Sequence, residues 1–229
     1  MPVYLLDDTY HFPPAEGAEN GIVAIGGDLS QERLLNAYKR GIFPWYSEGE
    51  PIIWWCPDPR FVLFPDDLHI SKSMHRVLNS NMFSVTLDTN FPLVIRQCAE
   101  VSRKDEDGTW ITEEMIAAYC RLHESGYAHS VEVWKNNMMV GGIYGVSLGK
   151  LFFAESMFHT ETNASKLAFI RLTQLLRQKE FMLLDAQVYT KHVESLGAKE
   201  ISRKEFMLLL QKGLQYESWT GRWKFEANG

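Results

Sequence analysis

The sequence predicts an α+β fold, with a small N-terminal domain ahead of a larger domain built on a β-β-β-α-β-α core. The chain has 229 residues and is 45% hydrophobic, enough to bury a real core in one large or two smaller domains. Its beginning is rich in Gly, Pro and aromatic residues, whereas its second half alternates strand-like and helix-like apolar patterns. We place the domain boundary after residue 62, which gives domains 1–62 and 63–229.

The elements before residue 127 are predicted mainly from caps and periodicity. Ser30 is a candidate N-cap for a helix that ends before Gly41. The remaining expected elements are a helix over His69–Leu78 capped by Ser71, a strand over Phe83–Leu87, a helix over Phe91–Ser102, a charged loop over Arg103–Gly108, and a helix capped by Thr112 that ends at Gly126.

The second half supplies the core order. The expected strands are Ser130–Trp134, Met138–Val146, Leu151–Phe158 and Phe181–Tyr189, and the expected helices are Ala164–Lys179 with Asn163 as N-cap, a short helix ending near Gly197, and Ser202–Leu214. Asn136-Asn137 marks the first turn. A meander followed by a crossover helix and a further strand is an α+β layout, and it resembles the core of the GNAT acyltransferase fold.

The segment Gly41–Arg60 concentrates five aromatic residues and four prolines. Because proline removes N–H donors, we expect an irregular loop here, without a regular helix or a central strand. Its tryptophans have two possible roles: they wedge two substructures together or they form the wall of a ligand pocket. We expect Trp54 and Trp55 to act as the wedge and Trp45 to face a ligand.

Charge and cysteine content exclude several classes. The net charge of −6 argues against a nucleic-acid partner, but residues 68–87 and 166–179 contain no acid and carry several bases. Those two stretches are either solvated helix faces or contacts to a polyanion. The N-terminus does not resemble a signal peptide and no run is long enough to span a bilayer, so we expect no membrane partner. Three widely spaced cysteines indicate reduced thiols rather than a metal site.

Polar residues interrupt two apolar strands. Glu155 lies within LFFAESMF, and Asp185 lies within FMLLDAQVY with Gln187 two residues on. Strict alternation along a strand predicts that Asp185 and Gln187 point to the same face. A carboxylate in such a strand serves either a structural hydrogen bond or a reaction. The spacing suits a relay in which one carboxylate orients an amide and the other accepts a proton.

Several familiar motifs are absent. No GxSxG is present, and the HExxH pattern that starts at His123 fails because position 127 is Tyr. The turn from Phe158 to Ser165 has no glycine and carries an acid, so it does not suit the pyrophosphate of acetyl-CoA. The acyl donor of a GNAT-like enzyme with this sequence is therefore expected to be another molecule.

Eight blocks together resemble the bacterial leucyl/phenylalanyl-tRNA–protein transferases. They are GGDLS (26–30), YKRGIFPWYS (38–47), IIWWCPDPR (52–60), GTWIT (108–112), HSVEVW (129–134), ESMF (155–158), NASK (163–166) and LGA (196–198). The resemblance runs nearly end to end. It implies a small domain on a GNAT-like domain, and transfer of Leu or Phe, with Met as a further possibility, from aminoacyl-tRNA to the α-amino group of an N-terminal Arg or Lys.

The resemblance also implies a biological setting. The transferred residue marks the acceptor protein for degradation by the N-end rule. The family is cytoplasmic and needs no metal, ATP or other cofactor, and we expect a monomer. Two alternatives stay open at this point: tRNA-dependent aminoacylation of a non-protein amine such as a cell-wall precursor, and a non-catalytic RNA-binding module.

Catalytic roles follow from the relay and the resemblance together. Asp185, acting with Gln187, is the expected general base and relay for the attacking amine. Glu155 is expected to orient Gln187 or to hold the acceptor's amine. Trp45 and Trp110 are candidates to stack on the terminal adenosine.

The resemblance further suggests an acyl pocket and a tRNA contact. Ile143, Phe152 and Met157 match the pocket for the donor's side chain, with core packing as the alternative for all three. Phe152 and Glu155 have opposite strand parity, so a β-bulge is required if both line one site. The expected contacts to the tRNA backbone are Lys72, Arg76, Lys166 and Arg171. The helix after His69 is less basic than the family pattern, so we expect more of the tRNA contact to come from Lys166 and Arg171.

Overall fold

The computed structural model describes residues 4–18, 20–100 and 110–225. These residues form two β-sheets with seven α-helices packed around them. The predicted charged loop at 103–108 lies outside the described residues, as do the last two residues of the helix predicted to end at Ser102. Among the described residues, no helix is both long enough and apolar enough to cross a membrane.

The first sheet has four short strands in the order β1-β2-β4-β3. They are β1 (Tyr4–Leu6), β2 (Ile22–Gly26), β3 (Phe43–Pro44) and β4 (Ile53–Trp55). The prediction that the Gly41–Arg60 segment holds no central strand is wrong, because β4 pairs with β2 on one side and β3 on the other. The prolines at 51 and 57 flank this three-residue strand instead of interrupting it, and Pro44 lies on the edge strand.

The second sheet has seven strands in the order β11-β5-β10-β9-β8-β7-β6. They are β5 (Arg60–Leu63), β6 (Ser84–Leu87), β7 (Ala128–Lys135), β8 (Met138–Leu148), β9 (Leu151–His159), β10 (Leu183–Gln187) and β11 (Lys199–Ile201). Strands β7, β8 and β9 form the predicted meander, and β10 lies parallel to β9. The α+β class and the β-β-β-α-β-α order are confirmed.

The helices are α1 (Gln31–Tyr38), α2 (Lys72–Leu78), α3 (Phe91–Glu100), α4 (Glu113–Glu124), α5 (Ala164–Gln178), α6 (Lys191–Glu194) and α7 (Arg203–Gly213). The side chains of Ser30, Ser71, Thr112 and Ser202 each accept a backbone N–H of the first turn, as predicted. Asn163 is the N-cap residue of α5, but its side chain makes no capping bond because its backbone is left-handed, with φ 73°.

The start of β5 connects the two sheets. The predicted domain boundary after residue 62 falls inside this strand, which pairs with β10 and β11 in the large sheet. Trp54 is fully buried next to it, donates its indole N–H to the carbonyl of Gly26 at 2.9 Å, and packs edge-on against Phe12. The division at 62/63 stays a prediction, and Arg60 contributes to the large sheet from just before it.

A glycine permits the irregularity that shapes β8 and β9. A Cβ atom on Gly145 would lie 2.1 Å from the carbonyl oxygen of Phe153 and 2.5 Å from the ring of Phe152. Only glycine therefore allows the two strands to approach so closely at this point. The pairing register shifts between Tyr144 and Gly145, which changes the direction of the side chains that follow in β9.

Candidate active site

A cavity of about 470 Å³ lies where the small sheet meets the large one. Six of the residues predicted for the site line it: Trp45, Trp110, Ile143, Glu155, Met157 and Gln187. They come from a loop of the small sheet, from the residues just before α4, and from three adjacent strands of the large sheet. Tertiary structure thus brings together residues that are far apart in the sequence: Trp45 and Gln187 are separated by 142 positions.

A β-bulge directs Glu155 toward the cavity. Tyr144 pairs with Ser156 and Gly145 pairs with Ala154, which leaves Glu155 as the extra residue of β9. The sequence required a bulge only if Phe152 and Glu155 both line one site, and that condition is not met. Phe152 itself is not among the residues that line the cavity. It is buried, and its ring lies 5.8 Å from that of Trp223 in the core.

A second irregularity sets the direction of Gln187. Asp185 pairs with Val62 and Gln187 with Phe61, so Ala186 is extra in β10. Gln187 has a left-handed backbone, with φ 64°, which is uncommon for a residue other than glycine. The strand is therefore irregular between Asp185 and Gln187, and a common face for the two side chains stays a prediction. Gln187 lines the cavity, whereas Asp185 is fully buried behind it.

Glu155 is the centre of a buried hydrogen-bond network. Its Oε1 accepts the side-chain amide of Gln187 at 2.8 Å, and its Oε2 accepts the hydroxyl of Tyr119 at 2.9 Å. Tyr119 already donates to Glu155, so the hydroxyl of Tyr38, 2.5 Å away, is the donor to Tyr119. Burial is the largest influence on Glu155 and raises its pKa to about 7, with the negative charge of Asp185 acting in the same direction.

Asp185 is held by a fully buried arginine. Arg60 donates Nε to Oδ1 at 2.8 Å and Nη2 to Oδ2 at 2.6 Å, and neither side chain is exposed. The same Oδ1 accepts the backbone N–H of Gln187 at 2.9 Å. Burial works to lower the pKa of Arg60, but the adjacent carboxylate holds it above its ordinary value. Asp185 is therefore an enclosed group that pairs with Arg60 and contacts the backbone of Gln187.

Arg60 is the residue of this site that the sequence reasoning did not identify. It stands at the start of a buried strand, immediately after the Pro-Asp-Pro run. A buried carboxylate is normally paired with a cation, and that rule applied to Asp185 would have prompted a search for a partner. It would not have chosen among the basic residues of the chain, because the pair joins positions 125 residues apart.

The four predicted tRNA contacts lie on two helices outside the cavity lining. Lys72 and Arg76 are exposed on α2, while Lys166 and Arg171 are half-buried on α5. Helix α2 packs against α5, so all four belong to one region of the large domain. The described residues form no group of His, Cys, Asp and Glu side chains suited to hold a metal ion.

Comparisons with known proteins show the family of this chain. The family model for the leucyl/phenylalanyl-tRNA protein transferases matches residues 62–211, and the model for their N-terminal domain matches residues 27–58. A leucyl/phenylalanyl-tRNA–protein transferase of Syntrophus aciditrophicus (strain SB) is 55% identical over 224 residues, covering 97% of this chain and 94% of that protein. One from Flavobacterium johnsoniae is 55% identical over 208 residues, covering 91% and 98%.

Similarities to solved structures are weak. L-PGS from Bacillus licheniformis has a TM-score of 0.41 at 12% identity, over 74% of this chain and 54% of that chain. A GCN5-related N-acetyltransferase from Kribbella flavida has a TM-score of 0.36 at 8% identity, over 73% and 60%.

The sequence matches define an enzyme class, the acyltransferases that take an aminoacyl group from tRNA. The chain belongs to the leucyl/phenylalanyl-tRNA–protein transferase family.

Proposed function

We propose that this enzyme transfers Leu or Phe from aminoacyl-tRNA to the α-amino group of an N-terminal Arg or Lys of a protein. The observation that carries the proposal is the single cavity that unites Glu155 and Gln187 with Trp45 and Trp110. Two indole rings suit a nucleoside base, and a carboxylate beside a carboxamide suits an amine nucleophile. Family membership supports the same reaction.

The chemistry needs little activation. The donor is an ester and the product is an amide, so the main requirement is to bring the amine to the ester carbonyl in its deprotonated form. An α-amino group has an unperturbed pKa near about 8. It therefore loses its proton readily to a group of similar basicity that lies within hydrogen-bonding reach.

Gln187 and Glu155 meet that requirement. Because the side-chain amide N–H of Gln187 donates to Glu155, its Oε1 is directed away from that bond and accepts a hydrogen bond from the attacking amine. Glu155 lines the cavity, and its raised pKa of about 7 suits a proton acceptor at neutral pH. We assign Gln187 as the group that orients the amine and Glu155 as the general base. As the amide bond forms, the ester C–O bond breaks, and the proton that Glu155 takes from the amine passes to the departing ribose oxygen, so that the tRNA leaves with a free hydroxyl.

Asp185 acts in this scheme as a positioning residue. Its two oxygens are occupied by Arg60 and by the backbone N–H of Gln187, and it has no exposed surface. These bonds stabilise the left-handed backbone that presents the Gln187 carboxamide. The role of general base that the sequence suggested for Asp185 is thus better filled by Glu155.

The apolar part of the cavity is proposed to hold the donor's side chain. Ile143, Met157, Phe158 and Phe169 supply aliphatic and aromatic surface next to Glu155. Burying a Leu or Phe side chain there gains roughly 1.5–3 kcal/mol. Phe152 supports this wall from the core rather than contacting the ligand.

Transfer to defined peptides tests the function. Radiolabelled Phe-tRNA is incubated without ATP with two peptides that differ only in their first residue, Arg or Gly, and with a small amine as a third acceptor. We expect label on the Arg peptide alone. Label on the small amine but on neither peptide would support a non-protein acceptor, and binding of tRNA without any product would indicate an RNA-binding module. Marking of acceptors for degradation, a monomeric state and a cytoplasmic location remain part of this proposal.

A further inference from the structure

One wall of the cavity has basic side chains that the proposed chemistry does not use. His159 ends β9, Ser165 lies in the first turn of α5 and His192 lies in α6, and all three line the cavity. The hydroxyl of Ser165 is 3.2 Å from Nδ1 of His159. Lys166, the next residue of α5, lies close enough to His192 to influence it electrostatically.

His192 presents a polar atom that lacks a protein partner. Its Nε2 is buried and has no hydrogen-bond partner among the described residues. A buried ring nitrogen without a hydrogen-bond partner is unfavourable, so we expect a ligand atom to form that hydrogen bond. Burial, together with the neighbouring side chains of Lys166 and His159, lowers the pKa of His192 to about 4. The surroundings of this imidazole are therefore positively charged.

The acids on the segments that carry these side chains have other partners. Glu161 is the one acid between residues 156 and 179, and it pairs with Lys135 at 3.1 Å. On the α6 side, Glu194 accepts the hydroxyl of Tyr189 at 2.8 Å. The corner therefore favours an anion, whereas the basic side chain of an N-terminal Arg or Lys acceptor would be repelled there.

We infer that His159, Lys166 and His192 bind the 5′-phosphate of the terminal adenosine of the aminoacyl-tRNA. This inference rests on the proposed function. A donor whose base stacks on Trp45 or Trp110, and whose ester reaches Glu155, carries that phosphate on the same ribose, and His159 and His192 line the same cavity. Imidazole N–H groups and an ammonium are suitable donors to phosphate oxygens.

Two stable donor analogues test the inference. The first is 3′-deoxy-3′-(phenylalanylamino)adenosine, in which an amide replaces the reactive ester, and the second is its 5′-phosphate. Isothermal titration calorimetry on the wild type should give about tenfold tighter binding of the phosphorylated form, since charge-assisted hydrogen bonds are gained. His192→Ala and Lys166→Ala should reduce that preference and leave the affinity for the unphosphorylated form unchanged.

Matched variants separate binding from folding. His192→Gln keeps an N–H donor and should retain part of the preference, while His11→Ala removes an exposed histidine elsewhere and should change nothing. Equal affinities of the wild type for the two analogues would overturn the inference. So would His192→Ala weakening both analogues equally. Binding of neither analogue would reject the proposed function and the inference with it.

Discussion

Replacing Arg60 tests the central arrangement of the site. The Arg60–Asp185 pair has two short hydrogen bonds, of 2.8 and 2.6 Å, and no exposed surface. Arg60→Met removes the cation but leaves a buried carboxylate. Because an unpaired buried charge is strongly unfavourable, we expect the free energy of unfolding to fall by roughly 3–5 kcal/mol. That is a large share of the stability of an ordinary domain.

A double-mutant cycle isolates the pair. Asp185→Asn keeps an acceptor for the backbone N–H of Gln187 but removes the charge, so the double variant Arg60→Met/Asp185→Asn leaves no charge unpaired. We expect its loss to be at least about 2 kcal/mol smaller than the sum of the single losses. Urea unfolding followed by tryptophan fluorescence measures all four proteins, with equal m-values as the check on two-state behaviour.

An exposed pair of similar length is the control. Arg177 contacts Asp66 at 2.7 Å, but both side chains are more than half exposed, so Arg177→Met should change stability by less than about 1 kcal/mol. In transfer assays, Arg60→Met should lower kcat by about tenfold or more while the KM for Phe-tRNA stays near the wild-type value, because Gln187 is displaced. Full stability in Arg60→Met, or strictly additive losses in the cycle, would refute the reasoning.

Three further predictions concern pH, the tryptophans and the strand irregularity. Burial raises the pKa of Glu155 from 4.5 to about 7, so between these values the folded chain keeps a proton that the unfolded chain releases. Urea unfolding should therefore show the free energy of unfolding falling by roughly 3 kcal/mol between pH 4 and 8. Glu155→Gln should remove that part of the pH dependence. Trp45→Ala should weaken binding of a donor analogue in calorimetry with little change in melting temperature. Trp54→Ala, at a fully buried site, should lower the free energy of unfolding by about 3–5 kcal/mol. The reverse pattern would contradict the roles assigned to the two tryptophans. Gly145→Ala should cost about 1–3 kcal/mol in urea unfolding and lower transfer activity, because a Cβ there lies 2.1 Å from a carbonyl oxygen; wild-type values in both assays would show that the strands can separate freely.

Local patterns predicted most of the elements correctly. The caps at Ser30, Ser71, Thr112 and Ser202 were readable because a side chain and the N–H that it accepts lie within three residues of each other. The turn at Asn136-Asn137 was readable for a similar reason, since both residues adopt positive φ as asparagine readily does.

Strand details were less accessible. The interior strand Ile53–Trp55 was missed because three residues between prolines give too short a pattern, and its pairing partners lie elsewhere in the chain. The irregularities at Glu155 and Ala186 were not visible either, since a bulge depends on the register of the neighbouring strand. They bear on which of these side chains reaches the cavity.

The sequence by itself determined the α+β class, the order of the core and, through its unusual blocks, the family. It also indicated Glu155, Asp185 and Gln187, because polar residues within apolar strands are costly and so draw notice. Only the tertiary structure decided how they are arranged, with Gln187 and Glu155 at the cavity and Asp185 enclosed with Arg60. The physical reason is that an ion pair depends on how close two side chains lie in the folded protein. A partner 125 positions away in the sequence leaves no local pattern.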